Sequence, residues 1–327
     1  MKVINIAYDQ IPKLPETAAA IGYFDGFHLG HQKLLALTLK TAQEHDLESA
    51  VITFHPDPWT VFKPKENHDN LVSLTDKSAM AAAMGIDYLY VIDFSAGFAA
   101  LPAEDFHQVL ESLHVKYLVC GYDFTYGQMG LGNVETLREF KGLKTLVVDE
   151  ITDLDVKVSS TRIEKLVRAG LMRKANKLLG YIYSLSGVIV KGYRRGSTLL
   201  AFPTANLQAD PGYVIPSRGV YAGYVLYDGK FYKAMINIGT NPTFDNEGFS
   251  IEAHIFDFDK NIYGRMVRFF FAERLRPEIR FKSAEELRKQ LKKDSQRARE
   301  LLDPESPLFE HTKDLWSLER RFVILEQ

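Results

Sequence analysis

The chain has little cysteine, little net charge and no long hydrophobic run. Its 327 residues include one cysteine, Cys120, which excludes an internal disulfide and a cysteine-rich metal site and fits a reducing, cytoplasmic setting. No apolar run approaches the ~20 residues of a membrane helix, and the N-terminal MKVINIAYDQIPKLPE lacks the apolar core of a signal peptide. With 40 basic and 42 acidic residues the formal net charge is -2, so the composition calls for neither a nucleic-acid nor a membrane partner.

The first part of the chain alternates short apolar runs with helical patterns. This alternation is typical of an α/β domain with a parallel sheet covered on both faces. We expect strands at residues 20–24, 50–54, 88–94, 117–120 and 145–148. We expect helices at residues 30–44, 75–84, 103–113, 134–140 and 161–179, the last ending at Gly180.

After Gly180 the pattern changes to short strands separated by Gly, Pro and Asn turns. Asp228–Gly229 predicts a hairpin between residues 219–226 and 231–238. Further strands at 250–258 and 266–272 complete the pattern of a small antiparallel β-barrel. A helix at 284–302 follows, with Ser283 and Glu286 as its capping box, and the tail from 303 is either one more packed segment or disordered.

The segment GYFDGFHLGH (residues 22–31) joins a predicted strand to a predicted helix. A helix N-terminus offers free N–H groups to an anion, and His28 and His31 lie three residues apart on one side of that turn. Gly26 and Gly30 permit close backbone approach. A plain loop with two surface histidines is the alternative, and a metal site is a second one that lacks a third ligand nearby.

Four segments resemble the N-terminal domain of the bacterial bifunctional riboflavin kinase/FAD synthetase family. They are GYFDGFHLGHQKLL, ITFHPDP (52–58), GYDFTYGQMGLGNVETL (121–137) and VSSTRIEKLVRAGLMRKANKLLG (158–180). The resemblance implies a Rossmann-like nucleotidyltransferase domain, in which the FMN phosphate attacks the α-phosphorus of ATP and pyrophosphate leaves. His28 and His31 would then be catalytic groups that hold the triphosphate.

The same resemblance implies which residues bind ATP and flavin in this domain. The ATP-binding residues would be Gly22, Phe24, Asp25, Gly26, Gly30, Ser159, Ser160, Thr161 and Arg162. The flavin-binding residues would be Phe54, Pro56, Pro58, Asp123 and Phe124. Two of these assignments have structural alternatives: Phe54 as the last core residue of a strand, and the Ser-Ser-Thr run as an ordinary N-cap.

The chain departs from the family pattern at Glu164, where the family usually carries arginine. A glutamate repels phosphates, whereas an arginine pairs with them. Arg162, Lys165 or Arg168, on the same predicted helix, would compensate.

The second part contains FPTANL (202–207), which resembles the Pro-Thr-Ala-Asn signature of riboflavin kinases. Thr204 and Asn206 are two apart, so in an extended segment both side chains lie on one face. Their oxygens suit Mg²⁺, which takes its other ligands from water and substrate phosphates. A Thr/Asn loop that satisfies its own backbone is the alternative.

Companion segments extend this second resemblance. KGYRRG (191–196) supplies candidate ATP-binding residues Lys191, Gly192, Arg195 and Gly196, and NIGTNPTF (237–244) is family-like. SIEAHIFDFD (250–259) carries Glu252, which the resemblance implies is the catalytic base that takes the proton from the ribityl hydroxyl. The alternative is that Glu252 and His254 form the solvated face of an edge strand.

Two weaker features complete the second site. Arg274 and Arg276, in ERLRPEIRF, are candidate flavin-binding residues, with solvated surface charge as the alternative. The family commonly has Leu-Gly before the aromatic residue of its signature, where this chain has Leu200 and Ala201 and an apparent extra residue. A lost glycine restricts close backbone approach to a phosphate.

We therefore expect an α/β domain at 1–183, a riboflavin kinase-like barrel with a C-terminal helix at 184–302, and an extension of unknown role at 303–327. The expected protein is a cytoplasmic enzyme that makes FMN from riboflavin and FAD from FMN, with ATP as co-substrate and Mg²⁺ as cofactor. Alternatives are that only one activity is retained, that the chain is a non-catalytic flavin- or nucleotide-binding regulatory paralogue, or that it is a nucleotidyltransferase for another phosphate. The oligomeric state is left open.

Overall fold

The computed structural model describes residues 1–63, 68–191, 203–240, 249–316 and 323–325. The chain divides into two compact units, Met1–Ser160 with Asp314–Gln327, and Thr161–Lys313. The domain limits expected at 183/184 and 302/303 remain predictions. Among the described residues, every helix is too short or too polar to cross a bilayer.

The first unit is built on a parallel sheet, as the sequence predicts. Within the described residues its strand order is β15-β1-β4-β3-β2-β5-β6, and every neighbouring pair is parallel. The strands are β1 Lys2–Ile6, β2 Thr17–Ile21, β3 Glu48–His55, β4 Tyr88–Asp93, β5 Val115–Gly121, β6 Lys144–Val148 and β15 Val323–Leu325. A small hairpin adds β7 Thr152–Asp153 and β8 Val156–Lys157.

Helices connect these strands: those expected at 30–44, 75–84, 103–113 and 134–140 are confirmed, and two short helices at 58–62 and 96–99 were not predicted. The helices are α1 Leu29–Glu44, α2 Pro58–Phe62, α3 Leu74–Ala83, α4 Ala96–Ala99, α5 Ala103–Ser112 and α6 Val134–Glu139, with a 3-10 turn at Gln128–Gly130. All five residues of β2, TAAAI, are buried, as befits a central strand covered on both faces. After β2 the chain adds β3 and β4 on one side and β5 on the other. In such sheets, ligands bind beyond the carboxyl ends of the strands at this reversal.

The single helix expected at 161–179 is a wrong prediction. The chain forms α7 Ser160–Arg168 and α8 Met172–Leu179, separated by Gly170 at φ +71°. A side chain at Gly170 would also meet the Ser217 hydroxyl at 2.3 Å, so this position combines a left-handed backbone with close packing. The predicted end at Gly180 is confirmed, with a left-handed φ of +78°.

The second unit contains the expected antiparallel barrel. Its closed order is β10-β13-β12-β11-β14-β9. The strands are β9 Ser184–Val190, β10 Ala205–Ala209, β11 Gly219–Tyr227, β12 Lys230–Thr240, β13 Phe249–Ile255 and β14 Met266–Arg276. The predicted hairpin is confirmed: Tyr227 pairs with Lys230, and Asp228 and Gly229 both have positive φ, as a type I′ turn requires.

A long helix follows the barrel, α9 Ala284–Leu301. Ser283 caps it by accepting the Glu286 N–H at 3.2 Å. The Glu286 carboxylate, however, accepts the Lys282 N–H at 3.0 Å, so the expected reciprocal bond of a capping box goes to the preceding residue.

The tail after residue 303 is packed in its described part. It forms α10 Pro307–Leu315, with Phe309, Leu315 and Trp316 buried. Phe309 stacks on Tyr224 with ring centroids 4.0 Å apart. In the first unit, β15 pairs in parallel with β1. The sequence analysis did not predict β1, because its five residues lie apart from any helix-strand alternation.

Candidate active sites

The loop between β2 and α1 brings the predicted nucleotide-binding residues together. Phe24 and Phe27 are buried although both have positive φ, at 54° and 39°, and Gly26 has φ +80°. Non-glycine residues in this region cost about 1–3 kcal/mol each and persist only where the surroundings hold them. The backbone conformation of this loop is therefore maintained by the residues packed around it.

His28 and His31 meet at the start of α1. Their rings stack with centroids 3.6 Å apart, and His28 Nδ1 accepts the His31 N–H at 3.4 Å. With Nδ1 accepting, neutral His28 carries its proton on Nε2 and can donate from that atom. A side chain at Gly30 would lie 3.1 Å from the His28 ring, so a glycine here leaves room for the stacked pair.

Both imidazoles are neutral at pH 7. Burial lowers the pKa of His28 to about 4 and the pKa of His31 well below its ordinary value. His31 Nδ1 is buried and makes no hydrogen bond within the described residues. A buried polar atom without a partner at a helix N-terminus fits a ligand with phosphate oxygens.

The loop is fastened through the backbone of two residues. The Tyr23 carbonyl accepts bonds from Thr53 Oγ1 at 3.1 Å and from Lys77 Nζ at 2.7 Å. The Asp25 carbonyl accepts from Ser160 Oγ at 2.7 Å. The Ser160 hydroxyl proton, expected to serve ATP, is thus donated to the loop.

Three flavin-side candidates lie at the carboxyl ends of β3 and β5, the two strands that flank β2. Phe54, the penultimate residue of β3, is half-buried, with its ring centroid 5.6 Å from that of Phe94. It also packs against the core, in line with the structural alternative for this residue. Asp123, after β5, is paired with Lys157 of β8, and Phe124 stacks near Tyr126 at 5.9 Å between centroids. All of these lie at the carboxyl edge of the sheet.

The remaining flavin-side candidates lie in and around α2. Pro58 begins α2, with Asp57 as its N-cap, and Pro56 is exposed. Trp59 and Phe62 in α2 are also largely exposed, at 54% and 56%.

The Ser-Ser-Thr run leads into α7. Ser159 precedes the helix, Ser160 begins it, and Thr161 and Arg162 occupy its first turn. Glu164, the departure from the family pattern, pairs with Arg168 at 2.8 Å. The negative charge of Glu164 is therefore neutralised within α7 by Arg168, one of the three cations named in the sequence analysis.

In the second unit, sheet register places three polar residues in one row. Glu252 on β13 lies directly opposite Asn206 on β10 and directly opposite Asn237 on β12. Directly opposed residues share a face of the sheet. Because β13 lies between two strands of a closed barrel, the alternative that Glu252 belongs to an edge strand is wrong.

Glu252 has the environment of a base. It is half-buried, and burial raises its pKa, while a hydrogen bond from Thr204 limits the rise. Thr204 Oγ1 donates to Oε2 of Glu252 at 3.2 Å. His254 is held separately, with Nδ1 2.9 Å from the Pro203 carbonyl.

Thr204 and Asn206 offer a hydroxyl and an amide oxygen beside the carboxylate of Glu252, and this chemistry fits Mg²⁺, a hard cation that prefers oxygen ligands. Among the described residues, no group of three or more His, Cys, Asp or Glu side chains could hold a metal. That finding is compatible with Mg²⁺, which binds through one or two carboxylates and substrate phosphates.

Several predicted residues of the second site lie outside the described residues: Gly192, Arg195 and Gly196, and likewise Leu200 and Ala201. Lys191, the last described residue before them, is exposed directly after β9.

The two arginines make structural contacts. Arg276 pairs with Asp294 of α9, with Nε and Nη2 each 2.8 Å from Oδ2, and both side chains are buried, at 13% and 6% exposed. Arg274 Nη2 donates to the Arg218 carbonyl, and its Nε is buried without a partner in the described residues. A flavin-binding role for either remains a prediction.

Sequence reasoning missed three polar residues at these sites. Lys77 is a buried cation in the first half of α3, and Asp57 lies inside the ITFHPDP segment. Asn237 lies in the NIGTNPTF segment and joins the row of Glu252 only through strand register. The sequence signal for Lys77 was its place directly before the run SAMAAAM.

Comparisons with known proteins match both parts of the chain to known families. A family described as FAD synthetase matches residues 10–162, and one described as riboflavin kinase matches residues 179–302. A Bacillus subtilis protein named bifunctional riboflavin kinase/FMN adenylyltransferase is 38% identical over 91% of this chain and 97% of its own length. A Listeria monocytogenes protein of the same name is 37% identical over 86% and 90%. A solved Streptococcus pneumoniae structure, described as a macrolide-efflux protein, is 32% identical with a TM-score of 0.85, covering 91% of this chain and 99% of that one.

Proposed function

The chain belongs to the family of bifunctional riboflavin kinases/FMN adenylyltransferases, and on that basis we propose how its two sites divide the chemistry. The enzyme phosphorylates riboflavin to FMN and adenylylates FMN to FAD, with ATP as co-substrate of both reactions. The assignment of particular residues to each step is our proposal.

In the second unit, Glu252 acts as the general base for phosphorylation. Its carboxylate takes the proton of the ribityl 5′-hydroxyl as that oxygen attacks the γ-phosphorus of ATP, and ADP leaves. A raised pKa makes the carboxylate a stronger base, and the Thr204 hydroxyl orients it through Oε2. The observation that carries this proposal is the direct pairing of Glu252 with both Asn206 and Asn237.

Thr204 and Asn206 are the residues that would hold Mg²⁺ in this unit. The ion, when bound, supplies positive charge against the phosphates of ATP. Asn237, on the other side of Glu252, orients the hydroxyl or a phosphate through its amide group.

In the first unit, the α1 N-terminus and its histidines bind the triphosphate. The FMN phosphate is already an anion at pH 7, so its attack on the α-phosphorus needs no general base. Neutral His28, with its proton on Nε2, donates a hydrogen bond to phosphate oxygens, whose charge increases as pyrophosphate departs. Phe54, Pro56, Pro58 and Phe124 line the apolar side for the flavin ring.

The test is chromatography of flavins after incubation of the purified chain with Mg-ATP and either riboflavin or FMN. We expect FMN and FAD from riboflavin, and FAD from FMN. FMN that never proceeds to FAD would overturn the assignment of the first unit and point to Glu164. FAD formed only from supplied FMN would overturn the kinase assignment, and tight flavin binding without product would support a regulatory paralogue.

A further inference from the structure

Helix α3 contains a buried lysine, Lys77, that contacts the loop between β2 and α1 and has no role in the mechanism above. Lys77 is 3% exposed, and its Nζ donates to the Tyr23 carbonyl at 2.7 Å and lies 3.4 Å from the centroid of the Tyr23 ring. An ammonium group is costly to bury unless carbonyls, aromatic faces or carboxylates replace its water. The contacts with Tyr23 supply the first two.

Two carboxylates share this region with Lys77. Asp25 Oδ1 accepts the N–H groups of Leu71 and Val72, at 2.8 and 3.3 Å, and Asp57 caps α2. Burial raises the pKa of Asp25, and the charge of Lys77 opposes that rise. Burial lowers the pKa of Lys77, and the charges of Asp25 and Asp57 oppose that change. The three side chains thus interact electrostatically beneath the loop.

The position of the cluster matters because the loop is conformationally unfavourable. Phe24 and Phe27 lie at positive φ within four residues of each other. The residues between β2 and His28 keep this conformation through tethers on Tyr23 and Asp25. Lys77 supplies one tether and also a positive charge next to Asp25, which otherwise places negative charge near a site for ATP.

We propose that Lys77 is a positioning residue for adenylyl transfer: it holds the Tyr23 carbonyl and offsets the Asp25 carboxylate, so that the His28 loop keeps its shape and accepts a polyanion. The inference rests on the proposed function of the first unit. Lys77 acts through the loop and has no direct contact with the reacting atoms.

The variants differ in the net charge of the cluster formed by Lys77, Asp25 and Asp57. With Lys77, Asp25 and Asp57 ionised the cluster carries −1, and Lys77→Met makes it −2. Lys77→Met combined with Asp25→Asn returns it to −1, and an asparagine at position 25 still offers an oxygen to the Leu71 and Val72 N–H groups.

The experiment compares steady-state FAD formation from FMN by the full-length wild type, Lys77→Met, Lys77→Arg and the double variant. We expect Lys77→Met to lower kcat/KM for ATP by about a hundredfold, mainly through KM, because a misplaced loop and an uncompensated carboxylate both weaken triphosphate binding. The double variant should recover about tenfold, and Lys77→Arg, which retains the charge, should lose less than Lys77→Met. Lys116→Met, which removes an exposed cation paired with Glu16, is the matched control and should change little.

The pH dependence separates electrostatics from packing. The titratable groups near Lys77 are Tyr23 and Asp25 in the loop, Asp57 after β3, His31 in α1 and Asp76 on α3 itself. Without Lys77 the pKa of Asp25 rises further, so the defect of Lys77→Met should deepen as the pH increases above about 6 and Asp25 ionises. The defect should shrink again near pH 8, where burial brings the pKa of Lys77 and the wild type loses the same charge. The double variant should lack that trend.

Several outcomes would overturn the proposal. The proposal is wrong if Lys77→Met and Lys116→Met have the same kcat/KM for ATP. It is also wrong if the defect of Lys77→Met neither depends on pH nor is relieved by Asp25→Asn. FMN formation from riboflavin by the same chains, with thermal unfolding, reports folding. If Lys77→Met alone does not fold, the double variant decides, since a well-folded double variant that has lost ATP binding contradicts charge compensation. A wild type that makes no FAD would refute the proposed function itself, and this inference with it.

Discussion

The two units solve different problems of phosphate chemistry with different parts of a fold. In the first unit the candidate residues lie at the carboxyl ends of strands and in the loops and helices that follow them, with neutral histidines and a buried lysine. In the second unit the key residues lie within the strands, where register puts Glu252 between Asn206 and Asn237. The chemistry explains the difference, because an alcohol must lose a proton to attack phosphorus, whereas a phosphate attacks as the anion that it already is.

The largest test of this comparison is Glu252→Gln. Removal of the base should lower FMN formation by about a hundredfold to ten-thousandfold, while FAD formation from supplied FMN stays unchanged. The measurement is flavin chromatography with each substrate separately. Loss of both activities would show that the division between base-dependent and base-free sites is incorrect.

His31→Ala is the reciprocal change. It removes half of the stacked pair at the start of α1 and should lower FAD formation by about a hundredfold, with FMN formation unaffected. Rates are measured from the same two assays. The control is His45→Ala, which removes an imidazole at the C-cap of α1, away from the loop. An unchanged FAD yield would remove His31 from the site.

Arg276→Ala tests whether the barrel unit uses this residue for ligand or for structure. It leaves Asp294 buried without its cation and should destabilise the chain by about 3 kcal/mol in a denaturant titration. Arg299→Ala breaks the exposed pair with Asp257 and should cost far less. A normal stability with a raised KM for flavin would instead support the flavin-binding role expected from the sequence.

The smallest effect expected is a shift in pH dependence. Because Glu252 must be ionised, the acid limb of the kinase kcat/KM should lie above the ordinary carboxylate pKa of 4.5. Thr204→Val removes both the bond that favours the carboxylate and a proposed Mg²⁺ ligand, so kcat/KM should fall and its acid limb should move to higher pH, by about one unit or less, whereas Thr204→Ser should retain the wild-type position. If the acid limb of kcat/KM does not move in Thr204→Val, the Thr204 hydroxyl has no influence on the pKa of Glu252.

Local sequence was sufficient for the features that depend on neighbouring residues. The Asp228–Gly229 hairpin, the end of α8 at Gly180 and the start of α1 at the histidine segment all follow from short-range backbone preferences. The fold class also followed from the order of strand and helix patterns. The break at Gly170 was missed because the apolar pattern continues through it, although the space there admits no side chain.

The sequence by itself determined the α/β and barrel classes, the His28/His31 segment and the candidacy of Glu252. Only the tertiary structure decided that Asn237 on β12 lies opposite Glu252 on β13, that Lys77 and Asp57 interact with Asp25, and that β15 pairs with β1. The physical reason is range. Turns and caps are fixed by adjacent dihedral angles and hydrogen bonds, whereas strand register and the burial of a charge depend on residues far apart in the chain, which meet only when the cores form.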